Sequence, residues 1–175
     1  MAKNNYLSKI DSLLADDYKA SLGLLVEEQI GMTLKINNYG RSYLLYSFDK
    51  VVKRKKENKA IELQPYFKSI EGVKSMCDYF LFCYDKGKLF VLLIELKRGK
   101  EQVMCQLDAG NLFATYLINT LNRVEKMNLI PIIRKISIRD YRIVRKGTSM
   151  KPVVYDADSF CTFNGSSLIL PEFLK

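Results

Sequence analysis

Asp78 is followed seventeen residues later by Glu95-Leu96-Lys97. Two carboxylates are hard oxygen donors of the kind that hold Mg²⁺ or Mn²⁺, and an ammonium group two residues past the second could hold a water or a phosphate beside them. Together they suit metal-assisted phosphodiester hydrolysis, in which a divalent ion makes water more acidic and offsets charge on the phosphate. The chemistry requires that the three side chains meet, so the elements between them decide the matter.

Cys77 to Tyr84 (CDYFLFCY) and Leu89 to Leu96 (LFVLLIEL) are short apolar runs around Asp85-Lys86-Gly87-Lys88, the signature of a β-hairpin. If the turn is symmetric about Lys86-Gly87, facing residues have numbers that sum to 173, so Tyr84 faces Leu89, Phe82 faces Val91 and Asp78 faces Glu95. A three- or five-residue turn with a bulge would shift that pairing by one. Strand alternation puts Glu95 and Lys97 on one face and Leu96 on the other. Like charges directly opposed across a strand pair destabilise it, so a cation is required: Lys97 in part, a divalent ion for the rest. In the alternative reading Asp78 starts one strand and Glu95 and Lys97 end the other, each solvated at the sheet margin. An acid heading one strand, E-x-K ending its partner and little else polar between them favour convergence.

Apolar residues from about Tyr6 to Thr33 recur at helical spacing (Leu7, Ile10, Leu13, Leu14, Tyr18, Leu22, Leu25, Val26, Ile30), which predicts two helices or one bent one, with a break near Ala15-Asp16-Asp17. Tyr39 to Asp49 reads as the first strand, and Gln64 to Ser75 as loop or short helix. A helix is expected from Gly99-Lys100-Glu101 to about Val124, with Val103, Leu107, Leu112, Tyr116 and Leu117 near helical spacing. Gln102 and Gln106 would share a face of it, where an amide could orient water or touch a phosphate without neutralising the acids; two solvent-facing glutamines are the equal alternative. Leu129 to Ser137 and Tyr141 to Lys146 read as strands. The tail from Val153 to Leu170 carries a further strand or hairpin, with Asp156 and Asp158 in a turn rather than a metal site.

The 175 residues fit a single domain, 1–175, large enough for an ordinary core. The absence of histidine excludes Ser-His-Asp and Cys-His catalysis and the H-E-x-x-H and Cys₂His₂ zinc sites. Cys77, Cys83, Cys105 and Cys161 show no C-x-x-C spacing, so free thiols are expected. No P-loop, dinucleotide fingerprint or helix-turn-helix signature is found. The longest apolar runs fall far short of the ~18 residues that cross a bilayer, which predicts a soluble, cytoplasmic protein and no membrane partner. Twenty-eight basic residues against nineteen acidic ones give a net charge of +9. The excess clusters at Lys53-Arg54-Lys55-Lys56, at Lys97-Arg98-Gly99-Lys100 and between Arg134 and Lys151, a field that attracts polyanions.

The chain resembles the PD-(D/E)XK nuclease superfamily, the restriction-endonuclease-like phosphodiesterases, in Cys77-Asp78, in Glu95-Leu96-Lys97 and in the following amphipathic segment with Gln102 and Gln106. The resemblance spans roughly Leu22 to Leu121. It implies an α/β fold with a restriction-endonuclease-like core, a central mixed β-sheet flanked by helices, in the order helix, antiparallel hairpin, crossover helix, further strand. It implies a metal-dependent nuclease acting on DNA in which Asp78 and Glu95 ligate Mg²⁺ or Mn²⁺, aided by the Leu96 carbonyl. Lys97 would position the attacking water and Gln106 would lie beside the site. It admits a homodimer, and an acid from the first helix, for which Glu27 and Glu28 are the candidates. Two departures stand out: Cys77 replaces the usual Pro before the Asp, and Gly110 stands four residues after Gln106 where one branch has Tyr. The alternative is a catalytically inactive nucleic-acid-binding or protein-interaction module with a nuclease-like fold.

Overall fold

The apolar runs on either side of Lys86-Gly87 form the spine of the protein. The computed structural model describes residues 3–48, 52–53, 60–61, 68, 70, 72–99, 102–140 and 152–175. Along the chain these form α1 (Lys3–Leu13), a 3₁₀ turn (Asp16–Tyr18), β1 (Leu24–Glu27), β2 (Met32–Asn37), β3 (Tyr43–Tyr46), β4 (Val52–Lys53), β5 (Ala60–Ile61), β6 (Tyr79–Asp85), β7 (Lys88–Arg98), α2 (Met104–Glu125), β8 (Pro131–Asp140), β9 (Phe160–Phe163), β10 (Ser167–Ile169) and α3 (Leu170–Phe173).

β6 and β7 pair antiparallel from Tyr79↔Ile94 to Asp85↔Lys88, the register in which residue numbers sum to 173. Lys86 and Gly87 carry φ of 48° and 81°; two successive positive φ values are what a two-residue hairpin turn needs to match strand twist, and glycine takes one at no steric cost.

This hairpin is the centre of a five-stranded sheet ordered β3-β6-β7-β8-β9. β3 joins β6 antiparallel, whereas β8 joins β7 and β9 joins β8 in parallel. A parallel neighbour requires a crossover, which α2 provides; its return to β8 is fastened by the Asn122 side chain, which donates to the Leu129 carbonyl and accepts from the Leu129 N–H, both at 2.9 Å.

The hairpin strands are apolar on both sides because both sheet faces are covered. Phe80, Phe82, Val91 and Leu93 pack with Leu7 and Ile10 of α1 and Leu107, Ala114, Ile118 and Leu121 of α2. Tyr79, Leu81, Leu92, Ile94 and Leu96 turn the other way, onto a smaller mixed sheet ordered β1-β2-β10 and onto α3. Each buried Leu or Phe contributes about 1.5–3 kcal/mol, so this two-sided burial is what holds the hairpin's alternation in register. The fold is therefore mixed α/β, with α1 and α2 on one face of the larger sheet and the small sheet and α3 on the other. None of its helices, among the described residues, is long and apolar enough to cross a membrane.

Several expectations change. The helical reading stops at Leu13, and Leu24 to Asn37 forms the antiparallel pair β1–β2. Gly23 and Gly31 hold φ of 90° and 62°, outside helical backbone, and Met32, Leu34 and Ile36 alternate strictly with exposed Thr33, Lys35 and Asn37. Tyr43–Tyr46 is thus the third strand of the chain, though the first of the larger sheet. α2 begins at Met104, so Gln102 precedes it, and Leu112 and Tyr116 lie on its outer face, 74% and 64% exposed. The tail forms two strands in different sheets, β9 beside β8 and β10 beside β2. Asp156 Oδ1 accepts from the backbone N–H of Asp158 and of Phe160, each at 2.9 Å, closing the expected turn. The strand expected at 141–146 lies outside the described residues.

Candidate functional site

The Asp78 and Glu95 side chains meet where the β6–β7 ladder ends. Backbone pairing stops at Tyr79↔Ile94, and one step further the acids replace it. The Asp78 N–H donates to Glu95 Oε2 at 3.1 Å, and the Leu96 N–H donates to Asp78 Oδ2 at 2.6 Å. Lys97 Nζ stands 3.2 Å from Glu95 Oε1. By strand alternation Glu95 and Lys97 lie on the helix-covered face, in line with Leu93, and Asp78, one residue before β6, joins Glu95 through these bonds.

Glu95 is 2% exposed, a buried charged group among the described residues. Burial, and then the neighbouring Asp78 charge, push its carboxyl up to about 7, while Lys97 and the Asp78 N–H pull it back. Burial raises the Cys77 thiol well above its ordinary value, and the charges of Glu95 and Asp78 add to that. Two anions at the buried end of an apolar hairpin thus create a local demand for positive charge. Among the described residues no group of three or more His, Cys, Asp or Glu could hold a metal ion.

Compared with models of known families, with curated proteins and with solved structures, the chain matches none. The site is therefore read from its own geometry.

α2 covers the site's edge. A Cβ on Gly110 would lie 2.6 Å from Cys77 Sγ and 3.4 Å from Phe80 Cζ, so helix and sheet approach there more closely than any side chain allows. The two departures from the superfamily pattern, Cys77 and Gly110, are consequently one packing contact. Half-buried Gln106 sits one helical turn before Gly110, at the same end of the sheet. No bond from it to Asp78, Glu95 or Lys97 is seen among the described residues. Lys135 Nζ binds Asp108 Oδ1 at 2.8 Å and ties the same stretch of α2 to β8.

Glu27 and Glu28 are not brought into the site from a helix. Glu27 ends β1, in the small sheet on the opposite face, where its Oε1 accepts from the Gln29 N–H at 3.0 Å. Tyr79, which points to that face, fastens β1 by donating its hydroxyl to the Val26 carbonyl and accepting from the Val26 N–H. The single acid of α1, Asp11, is engaged by the Tyr46 hydroxyl at 2.7 Å and by Lys19 at 2.9 Å. The basic runs at 54–59 and 141–151 lie outside the described residues.

Sequence reasoning missed the neighbours contributed by β8. In the parallel β7–β8 register Ser137 stands beside Glu95 and Arg139 beside Lys97. Ser137 is wholly buried, and Ile136 and Ile138 on either side of it pack into the opposite core. A serine amid isoleucines was the available signal, but it points nowhere until the strand's neighbour is known.

Proposed function

We propose that the protein is a metal-dependent nuclease that hydrolyses phosphodiester bonds, with DNA as substrate, on a restriction-endonuclease-like core of the PD-(D/E)XK type. The observation that carries this reading is the convergence of Asp78, Glu95 and Lys97 at the end of one hairpin, with Lys97 Nζ 3.2 Å from Glu95. The element order supports it: α1, then β3 and the β6–β7 hairpin, then α2 crossing to the parallel strand β8.

The donor set suits Mg²⁺ or Mn²⁺. These ions are commonly held by one or two carboxylates, with waters and substrate oxygens completing the shell, and the crowding of Asp78 against buried Glu95 is relieved by a divalent cation. When bound, such an ion supplies Lewis-acid polarisation of the phosphodiester and a more acidic water. Asp78 and Glu95 hold it, and the Leu96 carbonyl lies on the same strand segment. Lys97, next to Glu95, orients the attacking water and offsets charge that builds on the phosphate. Gln106 borders the site from α2. The net charge of +9 draws the polyanion in.

A specific observation favours a second reading, a nucleic-acid-binding or protein-interaction module without activity. Glu95 Oε1 and Oε2 and Asp78 Oδ2 already accept from groups of the chain itself. A cleavage assay on plasmid, linear and single-stranded substrates with Mg²⁺ or Mn²⁺ separates the two. Cleavage that disappears in Asp78→Ala while DNA binding persists supports the nuclease. DNA binding by the native protein with no cleavage and no Mn²⁺ affinity leaves the module.

A further inference from the structure

The outer face of α2 carries almost no charge. Leu107, Gly110, Ala114, Leu117, Ile118 and Leu121 are buried. The opposite face, where a surface helix is expected to be charged or polar, runs Cys105, Asp108, Leu112, Tyr116, Asn119 and Arg123, all exposed. Leu112 and Tyr116, one turn apart, are 74% and 64% exposed. Between Asp108 and Arg123 no residue is charged, in a chain with charged side chains at 27% of its positions. Single exposed apolar residues are ordinary. A turn-spaced pair inside so long an uncharged stretch is the pattern of a helix with a partner.

Tyr116 is held in place for contact. Its ring stacks on Phe113 at 6.4 Å, and Phe113 in turn stands edge-on to Phe48 and Phe80, at 5.0 and 5.9 Å. An aromatic side chain fixed in advance loses little freedom when it is covered, which suits it to anchor an interface.

The two charges that close the stretch point to the partner. Asp108 and Arg123 are opposite in sign and lie at equal distances from the midpoint between Thr115 and Tyr116. A second copy of the helix, laid antiparallel about a two-fold axis through that midpoint, sets the Asp108 of each copy against the Arg123 of the other. Leu112 of each then lies level with Asn119 and beside Tyr116 of the other, so the apolar pair is covered. Asp108 keeps its bond to Lys135 in this arrangement: Lys135 Nζ takes Oδ1, and the Asp108 side chain is still 56% exposed, so its other oxygen can accept from a guanidinium. A polyanion would meet one arginine and one aspartate on this face, a poor match for phosphates.

We propose that the outer face of α2 is the contact between two copies of this chain, packed as an antiparallel helix pair. One helix pair of this length makes an interface at the small end of the specific range, so the dimer exchanges with monomer at micromolar concentration. The proposal does not depend on the nuclease reading. The acids lie on the other side of α2, where Gly110 meets Cys77, and pairing leaves them uncovered.

Sedimentation velocity on the full-length protein, freed of nucleic acid and run over a concentration series, tests this. The native chain should pass from monomer to dimer. Leu112→Asp should weaken dimerisation about a hundredfold, because it enters a two-fold interface twice, while its urea midpoint, measured on the monomer, stays close to the native one, since the side chain is exposed there. Arg123→Glu, which sets an acid against Asp108 of the other copy, should weaken it about tenfold, and Arg123→Lys much less. Oxidation followed by peptide mapping reads the direction of pairing. Tyr116→Cys brings two thiols within one residue's rise of each other along the helices and should give a disulfide dimer, whereas the two copies of Cys105 lie about 30 Å apart and should give none. A native chain that stays monomeric at every concentration, a Leu112→Asp variant that dimerises as the native chain does, or a disulfide between two Cys105 thiols overturns the proposal. Association that appears only when duplex DNA is added assigns the face to the polymer and overturns it as well.

Discussion

Asp78 and Glu95 continue the hairpin with their side chains after the backbone ladder has ended: the Asp78 N–H donates to Glu95 Oε2, and the Leu96 N–H donates to Asp78 Oδ2. Each carboxylate is held by the backbone of the opposite strand, and the two anions are pressed together by the same bonds that orient them.

Stability should depend on pH through Glu95. Its carboxyl is raised from an ordinary 4.5 to about 7, so between those values the native state keeps a proton that the unfolded chain has released. Its contribution is then fully present below pH 4.5 and is lost as pH rises through about 7. At about 1.4 kcal/mol per unit, the loss is on the order of 3 kcal/mol. Urea unfolding from pH 4 to 9 should show this decline in the native protein and a flatter profile in Glu95→Gln. Asp11, whose carboxyl is lowered by its hydrogen bonds to Tyr46 and Lys19, works in the opposite sense. It adds stability above its ordinary 3.8 that is lost as pH falls through its lowered value.

Lys97→Ala should uncouple charge from fold. Removing the ammonium group takes away a cation that lowers the Glu95 carboxyl, so the Glu95 titration, followed by carboxyl carbon NMR, moves upward. On the proposed mechanism kcat falls by about 10²–10⁴ with little change in DNA affinity. An unchanged kcat would remove Lys97 from the chemistry.

Gly110→Ala should destabilise the protein by about 1–3 kcal/mol, because its Cβ would stand 2.6 Å from Cys77 Sγ. Cys77→Ala in the same chain removes that atom and should recover most of the loss. Additive effects in a double-mutant cycle of urea midpoints would show that the two residues do not share a contact.

Thiol labelling should be selective. Cys105 is exposed on α2, whereas Cys77, Cys83 and Cys161 are buried, and burial lifts Cys83 to about 11 and Cys161 to about 12. One thiol should react quickly with a maleimide in native conditions and all four in urea, counted by intact mass. Rapid labelling of Cys77 in the native state would mean that the α2–sheet contact opens readily.

The hairpin was legible because its determinants are local. A two-residue turn containing Gly87 sets the register, and strict alternation makes a slip of one residue costly, so the facing of Asp78 and Glu95 follows from residues within twenty positions of one another. The helix after the hairpin and the strand that follows it were legible for the same reason, to within a few residues at their ends.

Leu24 to Asn37 shows where local reading failed. Its apolar residues fit a helical face and a strand face about equally over so short a run, and the choice was made by Gly23 and Gly31 and by a core waiting under Met32, Leu34 and Ile36. Residue order alone thus determined a hairpin with two acids facing at its end, a lysine beside them and a strongly basic chain. The pairing of β7 with β8, the closeness of Gly110 to Cys77, the removal of Glu27 to the opposite face and the placing of Ser137 and Arg139 beside the acids were decided only by the tertiary structure. Those contacts join residues distant in sequence, and which of them form depends on how α2 and the small sheet fill the two faces of the larger one.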